Sequence, residues 1–181
     1  MKRLFLIAGL MLGFVLAVAA ASASGGINYA GTWALDKTKS QGLDQRMQNA
    51  ESVACVNVQD DKTISMEWKI EGAQPGGGPG SGGGGGRGPA GPRVYNLDGK
   101  EVATEAGGQM GGTNTMKAGW SADGKTLELS SVRTGNYNGN EFKATNVDKL
   151  SLSGDGKVLT INRHSESPRG TTDSTLVFNK G

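Results

Sequence analysis

Among the residues that most often do chemistry, the chain of 181 residues carries one histidine and one cysteine. His164 stands in "NRHSES", with Ser165 and Glu166 beside it, which puts a base, a hydroxyl and a carboxylate within three consecutive positions. Such a set can do nucleophilic chemistry only if the base reaches the hydroxyl within hydrogen-bond distance. On a continuous strand adjacent residues point to opposite faces, so His164 and Ser165 are not expected to meet. One His and one Cys fall far short of a zinc ligand set. The aspartates lie singly in turns such as Asp60-Asp61-Lys62 and Asp123-Gly124-Lys125, where turn chemistry explains them, and are not gathered as calcium would require. No catalytic residue, metal site or cofactor is therefore expected. A hydrolase would need a carboxylate pair assembled across strands. Cys55 lies in an alternating apolar stretch and is expected as a buried thiol.

Residues 72–92 offer a second chemical option, a glycine-rich loop with 12 glycines and four prolines. A phosphate-cradling loop ends in Gly-Lys-Ser/Thr at the start of a helix, and Gly86-Arg87-Gly88 supplies neither. Single-stranded nucleic-acid binding needs many arginines or aromatics, whereas only Arg87 is here, with Arg93 directly after the segment. With nothing bulkier than Ala or Pro to bury, the segment is expected to be a disordered surface loop between two strands.

The elements that would position any site begin after residue 23. Lys2 and Arg3, the apolar run Leu4 to Val18 and the small residues Ala21-Ser22-Ala23 form the three parts of a secretory signal peptide, with cleavage near Ala23. Fifteen apolar residues are short for a membrane span of about 20. The mature domain, residues 24–181, is thus expected to be periplasmic or secreted and free of the membrane. Loss of Lys2 and Arg3 leaves 17 Lys and Arg against 17 Asp and Glu, so no cationic excess points to nucleic acid.

The domain reads as strands. In "TISMEWKI", residues 63–70, Ile64, Met66, Trp68 and Ile70 alternate with polar residues, the pattern of a half-buried strand. Similar patterns predict strands over 30–36, 51–59, 113–120, 126–134, 141–152, 158–165 and 171–179. Asp-Gly and Asn-Gly turns separate many of them, as hairpins require. "SADGKTLELS" and "SGDGKVLTIN" form a weak repeat, read as two hairpins built alike, since the chain is too short for a propeller. A short helix is expected within 41–50, where Leu43, Met47 and Ala50 share a helical face. The fold class that follows is all-β: an antiparallel up-and-down barrel of about eight to ten strands, in one domain.

Gly31-Thr32-Trp33, entering the first strand of such a chain, resembles the G-x-W signature of lipocalin-like (calycin-type) barrels. The wider stretch to Asp36, with Lys39-Ser40, is similar to the start of small exported bacterial members. The resemblance implies that Gly31 turns the chain into the strand, that Trp33 closes the barrel base, and that an arginine, either Arg163 or Arg169, lies across its ring. The sequence departs from larger lipocalins in lacking a Thr-Asp-Tyr motif and room for a C-terminal helix. With only Trp33, Trp68 and Trp120, it also departs from avidins.

The apolar phase of each strand names the inward side chains: Trp33, Ile64, Met66, Trp68, Met116, Trp120, Leu127, Leu129, Phe142, Leu159, Ile161, Leu176 and Phe178. Met66, Trp68, Met116, Trp120, Leu129 and Phe142 are the candidate ligand wall, and the expected partner is a small hydrophobic molecule. The alternative is a ligandless envelope module that contacts a protein or polysaccharide through its surface or its glycine-rich loop.

Overall fold

The structure, a computed structural model, describes residues 26–72, 91–105, 112–137 and 139–181. The expected leader and most of the glycine-rich loop lie outside the described residues. Among the described residues ten strands follow in chain order: β1 (Gly31–Leu35), β2 (Ser52–Gln59), β3 (Thr63–Glu71), β4 (Arg93–Asn96), β5 (Val102–Glu105), β6 (Thr113–Trp120), β7 (Leu127–Tyr137), β8 (Asn140–Leu152), β9 (Val158–Ser167) and β10 (Gly170–Lys180). One helix, α1 (Gln45–Asn49), interrupts the path from β1 to β2.

All ten strands form one antiparallel sheet in the order β4-β3-β2-β1-β10-β9-β8-β7-β6-β5. Each strand except the edge pair hydrogen-bonds its neighbours in sequence, and β1 meets β10, with Trp33 opposite Lys180 and Leu35 opposite Phe178. The edges β4 and β5 are not paired, but β4 approaches both β5 and β6, so the sheet curls into a nearly closed up-and-down barrel. Curling protects all but two short edges from pairing with other chains.

Tight turns stabilise one end, the base. In the two repeated hairpins the wiring is the same. Ser121 Oγ donates to Asp123 Oδ1 at 2.6 Å while Lys125 N and Thr126 N donate to Asp123 Oδ1 and Ser121 Oγ. Ser153, Asp155, Lys157 and Val158 repeat the pattern with the same 2.6 Å contact. The N-terminal segment plugs this end. Tyr29 is fully buried, and its hydroxyl lies 2.8 Å from Leu150 O and 3.0 Å from Lys125 O. Trp33 Nε1 donates to Tyr29 O at 3.0 Å. Gly31 enters the strand at φ +141°, a conformation that L side chains rarely adopt.

The core gathers around Trp33, Phe178, Leu127, Leu150, Leu159, Ile161 and Leu176, all essentially inaccessible. At the other end, the rim, Asp44 caps α1 by accepting from Met47 N at 2.7 Å, and Met47 turns inward to the core. Gly42 lets this connection lie on β10, since a Cβ there would stand 2.4 Å from Asp173 O. The helix lies within the 41–50 expected for it, with Met47 buried and its neighbours Leu43 and Ala50 packed on the core. Strands β4 and β5 were not anticipated: at four residues each, neither shows a readable period.

Candidate functional site

The inward face of β7 to β10 changes character along the barrel axis. Near the base one cross-strand row reads Leu127, Leu150, Ile161 and Leu176. The next row toward the rim reads Leu129, Asp148, Arg163 and Ser174, and the one above it Ser131, Asn146, Ser165 and Thr172. Arg133 stands opposite Ala144 one row further on, with Asn114 of β6 on its other side. Apolar rows lose no hydrogen bonds when sealed, whereas polar rows must find partners or meet water. The inward wall of β7 to β10 is thus apolar in its lower half and polar in its upper half.

On the first of those polar rows lies a buried ion pair. Arg163 Nε and Nη2 donate to the two Asp148 oxygens at 2.7 and 2.8 Å, a bidentate geometry, with side-chain exposures of 20% for Arg163 and 4% for Asp148. The same guanidinium lies 4.9 Å from the Trp68 ring centroid, and Trp68 meets Phe178 edge-on at 5.7 Å. Burial alone would weaken the Arg163 charge, but the Asp148 carboxylate beside it outweighs burial and moves its pKa upward. Tyr95 is buried in the same region, and burial pushes its phenol up. Burial pushes the Cys55 thiol up to about 12, which leaves it an inert, free thiol, 3.2 Å from Asn57 Oδ1.

The expected site residues separate. Met66, Met116 and Leu129 are buried core residues. Trp68 is half-buried under Arg163. Trp120 lies at the base, its ring 6.1 Å from Tyr29, and faces an open cleft of about 720 Å³ lined also by Gln59, Asp60, Asn96 and Lys100. Phe142 sits near the rim, half-buried, with Arg133 5.9 Å from its centroid. The cation above Trp33 is Lys180, 5.5 Å from its ring. Arg163 covers Trp68 instead, because the β1–β10 register places Lys180 opposite Trp33. Arg169 occupies the β9–β10 turn at the rim, far along the hairpin from Trp33.

His164 and Ser165 point to opposite faces. Ser165 Oγ reaches inward to Asn146 Oδ1 at 2.6 Å, while His164 stands outside, 2.7 Å from Asp173 and 3.3 Å from Glu166. Those hydrogen bonds, the one to Asp173 foremost, raise the His164 pKa. Among the described residues no group of three potential ligands is placed to hold a metal.

The polar inward residues Asp148, Asn146, Ser131, Asn114, Arg93 and Arg133 are missed by a selection of apolar residues. Strand phase would have found them, since Leu127, Leu129, Ser131 and Arg133 run in one unbroken alternation.

No family model and no curated protein matches the chain. Among solved structures it is similar to zebrafish ileal bile acid-binding protein complexed with cholic acid, at 11% identity and a TM-score of 0.46. The match covers 84% of this chain and 98% of that one.

Proposed function

We propose that this protein is a non-enzymatic carrier, an exported barrel that holds one small molecule in the rim-side half of its interior. The observation that carries the reading is the division of the barrel. Its lower half is sealed by side chains such as Trp33, Leu127 and Phe178, whereas Trp68, Arg163, Asn146, Ser165 and Phe142 face inward and remain partly accessible. A protein that needed only to fold gains more from a uniformly apolar interior than from a half-wet, charged one. Apolar surface for the body of a ligand comes from Trp68, Ile70 and Phe142, and polar groups for its orientation from the neighbouring rows. Export is supported by residues 1–23, which carry the charged, apolar and small-residue parts of a signal peptide.

Native mass spectrometry of the protein, purified gently from its host, tests the proposal. A bound organic adduct that disappears on denaturation supports the carrier, and its mass narrows the chemical class. A bare protein that also gains no adduct from an extract of the host's small molecules overturns it.

A further inference from the structure

We propose that the ligand of this barrel carries an acid group and that Arg133 receives it; the inference rests on the carrier reading above. Among the described residues three guanidiniums face inward above the apolar base, those of Arg93, Arg133 and Arg163, and the strands bring a single inward carboxylate, Asp148, to meet them. That carboxylate is already committed, since both its oxygens are held by Arg163. Arg133 takes part in no ion pair among the described residues, and its Nε is buried without a hydrogen-bond partner. Among the described residues its charge meets the Phe142 face, 5.9 Å away.

The stretches outside the described residues do not hold the missing charge either: residues 1–25, 73–90, 106–111 and 138 contain no Asp or Glu. A buried donor with no acceptor and a cation with no counter-charge both cost stability, so an arginine in this position is a poor structural choice. It becomes a good one when an oxyanion arrives, because a guanidinium offers paired donors in the geometry that carboxylate, sulfonate and phosphate oxygens accept. Asn114, opposite Arg133 in register and 7% exposed, adds an amide on the same wall. An acid group at Arg133 would leave the apolar body of the ligand beside Phe142 and above Trp68.

Two fluorescent probes that differ by the acid group test this: 8-anilinonaphthalene-1-sulfonate and its neutral counterpart N-phenyl-1-naphthylamine. Arg133→Gln is expected to weaken the sulfonate about tenfold or more while changing the neutral probe by less than about twofold, and Arg133→Lys to restore part of the loss. Lys149→Gln, on the outer face, is expected to change neither. The unliganded Arg133→Gln protein is expected to melt no lower than the wild type, which a structural arginine would not allow. Saturable binding of the neutral probe with sulfonate affinity indifferent to Arg133→Gln, or equal losses for both probes, overturns the inference and leaves the carrier reading standing. No saturable site for either probe overturns both.

Discussion

Replacing Asp148 by Asn asks how much the interior charge pair holds the barrel together. Asp148 is 4% exposed and accepts two charge-assisted hydrogen bonds at 2.7 and 2.8 Å, so the substitution leaves the Arg163 guanidinium inside without its counter-charge. Breaking a buried pair from one side costs about 3–5 kcal/mol. Arg163 keeps 20% exposure and its position over Trp68, so water and the ring relieve part of that cost, and the lower end, about 3 kcal/mol, is expected. For a domain of this size that corresponds to a fall of about 6–12 °C in Tm.

Urea unfolding followed by circular dichroism and by tryptophan fluorescence measures it, with Trp68 reporting directly on the guanidinium above its ring. The double variant Asp148→Leu with Arg163→Met is expected to recover most of the loss, because apolar residues of similar volume replace a buried pair at little net cost. A single-variant loss below about 1 kcal/mol would refute the assignment of the pair as buried and coupled. A double variant as unstable as the sum of the singles would refute it equally.

Trp33→Phe is expected to lose about 1–3 kcal/mol by leaving Tyr29 O short of its 3.0 Å donor and opening the base, read as a lower urea midpoint at unchanged slope. Cys55 is expected to resist Ellman's reagent in the native protein and to react at the rate of unfolding, since burial pushes its pKa up to about 12. Fast labelling at neutral pH would contradict its placement. His164, whose folded pKa is raised by Asp173 and Glu166, is expected to stabilise the fold fully below its unfolded pKa of about 6.5. That contribution is lost as pH rises through the folded value. Proton NMR titration should show the His164 pKa falling in Asp173→Asn, and an unchanged value would remove Asp173 as the cause.

The elements with a clean period are legible in the sequence. The alternation of Ile64, Met66 and Trp68 defined β3, and the two Ser-x-Asp-Gly-Lys turns marked hairpins that the structure wires identically. Strands β4 and β5 were not legible, because Arg93–Asn96 and Val102–Glu105 are too short to display a period and acquire strand geometry only from β3 and β6 beside them. The helical face of Leu43, Met47 and Ala50 announced the short helix, Gln45–Asn49, which lies within that stretch.

Local patterning therefore determined the all-β class, the hairpin sequence and the inward phase of most strands, since these depend on neighbours two residues apart and on turns of a few residues. The tertiary structure decided which inward residues meet. Trp33 lies under Lys180 and not under an arginine because β1 pairs with β10 in one register, across a separation of nearly the whole domain. Arg163 is matched with Asp148, and Arg133 has no ion-pair partner among the described residues, for the same reason. Whether a buried charge finds its opposite is fixed by the rows that barrel closure assembles from distant strands, and no local period carries that information.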